Sequence, residues 1–522
     1  MTIKRLFLFF ILTPIAVLLS LSSLFGSLQE PQFQSRLELY QTNIALQAQV
    51  WQPKGSNDEN FSAIKAAILG ENPLESALKQ YQQVRESVVS NLDKAQKELT
   101  QSEVIPTTAQ PLPTKVSETQ PVNEAKQKNL QQSLQQLKKL KADLDLRLGI
   151  LQAQQGNIDT ALQTWAELQQ SLTVNPEFSA TAAVLIGIWS DPPQLLPNAQ
   201  ELINQNLDGW FRSTDLSRLY QLQQRQAALS TIQAEQQEAA TQAVVKLAFI
   251  ATIPTVTALI GLILLVVLTG QLLLKGKEAI LAQNANLPWS TPWDAETILQ
   301  VFVVGFFFMG QIFVPLLVSM LPIPRPIVNV RFQALSVLVS YMMVASGALL
   351  VLYLSVKRFF PLPENWFRFR LRDRWFLWGF GGYCAALPIV VVVSLINQQL
   401  WQGQGGSNPL LQLALESQDT TALVIFFVTA AIAAPIFEEV LFRGFLLPSL
   451  TRYVPVWGSI VLSSLLFAIA HLSFSEILPL TALGIVLGVV YTRSRNLLAP
   501  MLLHSLWNSG TLLSLFILGS GN

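Results

Sequence analysis

Cysteine and histidine are almost missing from this 522-residue chain, which has one cysteine, Cys384, and two histidines, His471 and His504. A single cysteine excludes an intrachain disulfide framework and a cysteine-based metal cluster. Charge is scarce as well: 13% of residues are charged, and the formal net charge is +1. That balance leaves no electrostatic case for a nucleic-acid partner. The chain also lacks a Gly-x-Ser-x-Gly nucleophile turn and a His-Glu-x-x-His zinc helix. What it has in quantity is apolar sequence, since 51% of residues are hydrophobic.

Apolar runs of about 20 residues are long enough to cross a bilayer. The first extends from about Leu6 to Phe25, just after Lys4 and Arg5. It has no clear Ala-x-Ala site behind it and is long for a signal-peptide core, so residues 1–26 are expected to stay as an anchor. Further runs lie near 247–274, 298–321, 332–355, 376–398, 420–440, 457–471, 477–492 and 497–518. The expected fold is all-α, a polytopic helical membrane protein with eight or nine spans. Lys4/Arg5, Lys275/Lys277, Lys357 to Arg374, Arg443/Arg452 and Arg493/Arg495 fall in alternate loops. The positive-inside rule puts those loops in the cytoplasm and residues 27–245 on the far side, with Arg325 and Arg331 as exceptions. A bacterial inner membrane, or a thylakoid or plastid membrane, fits this arrangement.

Residues 27–245 are polar, Gln-rich and helical in period. Within them 101–124 is rich in Pro, Thr and Ser and reads as a flexible linker. Leu148-Gly149, Gly156-Asn157, Ala161 and Trp165 match part of a tetratricopeptide pattern, and an ordinary helical hairpin accounts for them equally well. Ala180 to Trp189 is apolar but too short to span, so it belongs to a soluble core. Residues 246–297 read as a transmembrane helix and cytoplasmic connection, and 298–522 as the main membrane domain.

Ionisable groups inside membrane-length apolar sequence are costly and read as functional by default. Five of them, with one amide, cluster between 438 and 508: Glu438, Glu439, Arg443, His471, His504 and Asn508. Residues four apart share a helix face, which pairs Glu439 with Arg443 and aligns His504 with Asn508. Gly484 and Gly488 allow a neighbouring helix to come close. A carboxylate can act as general base towards water, and His and Asn side chains can donate to a developing oxyanion. That inventory suits amide hydrolysis. Glu438, His471 and His504 are also of the residue types that hold Zn²⁺ with an open position, although one set already supplies base, orienter and oxyanion donors without a metal. A real site requires these side chains to converge in one cavity open to water.

EEVLFRGFLLPSL, FAIAH, GIVLGVVYTRSRNLLAP and MLLHSLWN resemble the characteristic stretches of the CPBP family, the CAAX prenyl endopeptidases and bacteriocin-processing proteases, also described as metalloproteases. The resemblance covers roughly 420–515, and more loosely the spans from about 298. It implies an intramembrane endopeptidase in which Glu438 activates water and His471 helps to position it. Glu439 and Arg443 organise the site, and His504 and Asn508 form the oxyanion hole. The implied partners are a membrane protein or peptide substrate and membrane lipid. The outer region lies beyond the resemblance and points to a protein partner. The alternative is a scaffold that keeps the fold and works through residues 27–245.

Overall fold

A computed structural model of the chain describes residues 6–28, 33–52, 69–70, 72–103, 120–170, 176–321, 327, 329–401, 405–407, 413 and 419–519. Among the described residues there is no β-strand, and the chain forms helices α1–α16. It divides into two compact units, one of Met1–Gln34 with Ile250–Ser520 and one built on Ser35–Phe249.

The second unit contains α2 (Phe33–Ala48), α3 (Pro73–Glu103), α4 (Gln120–Gln154), α5 (Ile158–Gln169), α6 (Pro176–Trp189), α7 (Ala199–Asn206), α8 (Gly209–Leu222) and the start of α9 (Gln226–Lys275). Its core joins Leu146, Ile150, Trp165, Leu185, Ile188, Phe211 and Leu219, all almost fully buried. The crossing of α4 and α5 depends on Gly149, where a Cβ would fall 2.2 Å from Trp165 Nε1. That indole donates to the Leu146 carbonyl at 3.1 Å. Helix α6 buries Val184, Leu185 and Ile188, as its short apolar run requires. Most of the expected linker, 101–124, falls outside the described residues. Its ends, 101–103 and 120–124, belong to α3 and α4, and 104–119 lie outside the described residues.

The membrane unit comprises α1 (Leu8–Ser27), the later part of α9, α10 (Ala295–Ser319), α11 (Val330–Val356), α12 (Trp375–Trp401), α13 (Thr420–Leu450), α14 (Val456–Ile469), α15 (Phe474–Ser494) and α16 (Leu498–Gly519). Among the described residues eight helices have the length and composition of membrane spans, which makes this an integral membrane protein. The ninth run, 457–471, is only the 14-residue α14, too short for a full crossing. Helix α9 carries the 249/250 unit boundary within it, slightly beyond the expected break at 245.

Small residues let these helices pack without a hydrophobic driving force. A Cβ on Gly484 would sit 2.8 Å from the Ser464 Cβ, so α14 and α15 form a tight hairpin. On Gly261 it would fall on the Cys384 carbonyl oxygen, binding α9 against α12. The basic loops meet one another at one end of this unit. Leu497 N donates to Arg368 O (2.9 Å), Asn496 Nδ2 to Arg370 O (2.7 Å), Asn284 Nδ2 to Arg493 O (3.0 Å) and Arg452 Nη1 to Trp293 O (2.7 Å). Arg331, an exception to the charge pattern, pairs instead with Asp419 at 2.7 Å; Arg325 lies outside the described residues.

Candidate active site

Helix α13 carries both glutamates, and it is not a regular α-helix. Val428–Ala433 and Glu439–Leu446 are π-helical, with Ala434 N–H bonded to Thr429 O and Leu447 N–H to Phe442 O, each five residues back. Such widened turns recur at functional sites. Continued one residue, that register would send the next N–H to the Ala430 carbonyl. Residue 435 is proline and has no N–H to give. Asn508 of α16 fills the gap, its Nδ2 donating to Ala430 O at 2.7 Å.

One turn earlier on α16, His504 Nδ1 lies 2.9 Å from Glu439 Oε1. A carboxylate oxygen accepts, so Nδ1 carries the proton and Nε2 is left facing Glu438, 3.9 Å from its Oε2. Glu439 Oε1 also accepts from Arg443 Nη1 at 3.0 Å, and both side chains are 0% exposed. Arg443 Nη2 donates to the Gly484 carbonyl at 3.2 Å, and its guanidinium lies 4.5 Å over the Phe467 ring. The ion pair is therefore wrapped by α14, α15 and α16. Burial of two charges is tolerated only with this kind of pairing.

Glu438 sits differently. Its side chain is 16% exposed, and its Oε1 accepts from the Tyr341 hydroxyl at 3.1 Å. Tyr341 belongs to α11 and was not among the residues singled out from sequence. An isolated tyrosine in an apolar span carries no spacing signal that marks it.

His471 follows α14 in a turn and is half-buried. Its Nδ1 bonds the Phe467 carbonyl at 2.9 Å, which again leaves Nε2 as the free ring nitrogen. Phe467 stands edge-on to both imidazoles, with centroids 5.0 Å from His471 and 5.7 Å from His504. Among the described residues His471 makes no ion pair with either glutamate. The structure thus gathers Glu438, Glu439, Arg443 and His504 into one contact network, anchors Asn508 beside it, and links His471 to it through a phenyl ring.

Among the described residues no three His, Cys, Asp or Glu side chains form a metal-binding group, so Glu438, His471 and His504 are not assembled as zinc ligands. The physical reason is spacing: His504 Nε2 stands 3.9 Å from Glu438 Oε2, and both imidazoles meet the Phe467 ring. Asn508, expected only at the oxyanion, spends one of its two amide hydrogens on the α13 backbone.

Comparison with known proteins points the same way as the motifs. Residues 420–510 match the family described as Type II CAAX prenyl endopeptidase Rce1-like. The putative membrane peptidase YdiL of Bacillus subtilis (strain 168) is 26% identical over 133 residues, 26% of this chain and 53% of that protein. The membrane-embedded CAAX protease MroQ of Staphylococcus aureus (strain USA300) is 28% identical over 137 residues, 25% of this chain and 54% of MroQ. An uncharacterized 24.3 kDa protein of Escherichia coli is 33% identical over 103 residues, 19% of this chain and 48% of that one. The chain spans about half the length of these relatives. No solved structure matches. With its paired glutamates, arginine and α16 histidine all inside the matched segment, the stretch 420–510 is an Rce1-like domain of the type II CAAX prenyl endopeptidase family.

Proposed function

We propose that this protein is an intramembrane endopeptidase that hydrolyses membrane-associated protein or peptide substrates with a water activated by Glu438. The observation that carries this reading is the unequal treatment of two adjacent carboxylates. Glu439 is fully buried and committed to Arg443 and His504, whereas Glu438 is reachable and has its Oε2 without a short contact to His504. A purely structural site has no need for the second, exposed carboxylate inside a membrane.

The chemistry follows from the positions. Glu438 Oε2 and His504 Nε2, 3.9 Å apart, both lie within hydrogen-bond reach of one water molecule. Glu438 takes a proton from that water as its oxygen adds to the scissile carbonyl carbon. The remaining Asn508 N–H, and His504 Nε2 when protonated, donate to the oxyanion that forms. The tetrahedral intermediate collapses with cleavage of the C–N bond, and the proton held by Glu438 passes to the departing amine. Tyr341 fixes the Oε1 edge of Glu438, so the other oxygen is presented. Glu439 and Arg443 hold His504 in the ring orientation and tautomer the step uses. His471, beyond Phe467, offers Nε2 to a water or to the substrate.

In this reading the basic loops are cytoplasmic and residues 27–245 extracytoplasmic, where they engage a protein partner. Glu438→Gln keeps size and most hydrogen bonding while removing the base. Cleavage should fall by about 10²–10⁴-fold with membrane insertion intact. Membrane proteomes of cells expressing wild type or Glu438→Gln would reveal the accumulated uncleaved substrates. Full complementation of a knockout by Glu438→Gln would end the protease reading and favour a scaffold acting through the outer unit.

A further inference from the structure

At the basic end of the membrane unit lies a cavity of about 380 Å³, unconnected with the catalytic network by any shared residue. It is bounded by the segment Gln283–Leu287, the loop after α11, the start of α12 and the turn between α15 and α16. Its lining includes five arginines, Arg368, Arg370, Arg374, Arg493 and Arg495, against one acid, Asp373.

None of the five is in an ion pair among the described residues. Their contacts are neutral. Arg495 Nε donates to Thr492 O at 3.1 Å, its Nη2 bonds Leu287 O, and its guanidinium lies 3.5 Å over the Trp289 ring. Arg493 Nη1 donates to Thr492 Oγ1 at 3.1 Å, and Arg368 Nη1 to Asn365 Oδ1 at 2.8 Å. Nε of Arg368 and of Arg493 is buried without a protein partner. Arg493 and Arg495 are only 4% and 7% exposed. Burial of an unpaired cation is unfavourable, and the Arg495 guanidinium is accordingly held down to about 10.

An anion relieves this excess, and the shape of the donors says which. Guanidinium groups present planar forks that suit tetrahedral oxyanions, phosphate above all. The cavity volume falls in the range of small-ligand sites. Its place at the ends of the spanning helices argues for a membrane source. The cavity lies where α12, α15 and α16 end, and Trp375 and Trp378 line it as interfacial tryptophans do. Basic pockets between transmembrane helices at this level bind anionic headgroups.

We propose that this cavity is a binding site for a phosphate group, supplied by the headgroup of an anionic phospholipid or as free phosphate. The inference is independent of the hydrolytic reading. Arg368→Gln/Arg370→Gln is the informative variant, because the main-chain bonds of both residues to Leu497 and Asn496 survive it. Full-length protein in neutral detergent would be titrated with phosphatidylglycerol, with phosphatidylcholine and with inorganic phosphate, following thermal unfolding. At roughly fivefold per arginine, the double variant should bind phosphatidylglycerol about 25-fold more weakly than wild type. Phosphatidylcholine should not distinguish them, and Arg331→Gln, which lies outside the cavity, should behave as wild type. Stabilisation of wild type by inorganic phosphate, lost in the variant and without a phosphatidylglycerol preference, would assign the same site to free phosphate. If the double variant fails to fold, Arg374→Gln, at an exposed position, replaces it with a loss of about fivefold. Equal response to charged and zwitterionic lipid with no phosphate effect, or unchanged affinity in a folded variant, would overturn the proposal.

Discussion

Removing Arg443 tests whether the buried pair is a unit. The side chain is 0% exposed and has three attachments: Glu439 Oε1 at 3.0 Å, the Gly484 carbonyl at 3.2 Å and the Phe467 ring at 4.5 Å. Arg443→Met keeps most of the volume but strands Glu439, whose Oε2 is already buried without a partner. An uncompensated buried charge costs about 3–5 kcal/mol. Glu439→Gln alone strands the guanidinium and should cost a similar amount. Replacing a buried pair by neutral groups of similar size is often close to neutral, so Glu439→Gln/Arg443→Met should cost no more than about 2 kcal/mol. The coupling between the two positions is then at least about 4 kcal/mol. Reversible unfolding in mixed micelles, followed by circular dichroism for wild type, both single variants and the double, measures it. The double variant should regain stability and remain inactive, because His504 no longer faces a charged anchor. Additive losses would refute the reasoning and reduce the pair to two separate contacts.

Tyr341→Phe removes one hydrogen bond to a carboxylate, a contact worth about 1.5–3 kcal/mol; at 3.1 Å the low end applies. Stability should fall by about 1.5 kcal/mol, and the rate constant for cleavage by up to about tenfold as Glu438 loses this positioning contact; an unaltered rate would show that Glu438 is positioned without it. In the Ser35–Phe249 unit, burial pushes the Asp215 carboxyl up to about 7, only partly opposed by the Trp189 indole donating at 3.0 Å. A folded-state value above the unfolded one means that its stabilising contribution is complete below about pH 4 and lost as pH rises through 7. Thermal unfolding of the full chain should therefore show a loss on the order of 4 kcal/mol for this unit across that window, absent in Asp215→Asn. A flat pH profile in wild type would disprove the assignment.

The spans were legible because apolar length is a property of the sequence alone. Only 457–471 misled: its apolar run includes the turn that holds His471, and the helix inside it stops at Ile469. The Glu439–Arg443 pair was legible because it is local, four residues apart on one helix. What a sequence cannot display is a contact between helices. Nothing near residue 341 announces that its hydroxyl meets Glu438, and nothing near 508 says that its amide is claimed by Ala430. The π turns of α13 leave only an indirect trace, the proline at 435 within its apolar run. The arginine cavity was visible as scattered positive loops, read then as a guide to orientation, but not as one enclosure.

The bond from Asn508 to the carbonyl left free by Pro435 has a consequence for how α16 can move. Together with His504 on Glu439 it makes a two-point ruler between α16 and α13, with marks at 504 and 508 on one helix and at 439 and 430 on the other. Sliding α16 by a single turn would displace it about 5.4 Å and break both marks at once. Rotation about its axis would carry both side chains away together, since they share a face. The separation of His504 Nε2 from Glu438 Oε2 is thus set by the seating of two backbones, and not by the freedom of either side chain. A substitution far along α16 that shifts its register would change that separation without touching a single residue of the network.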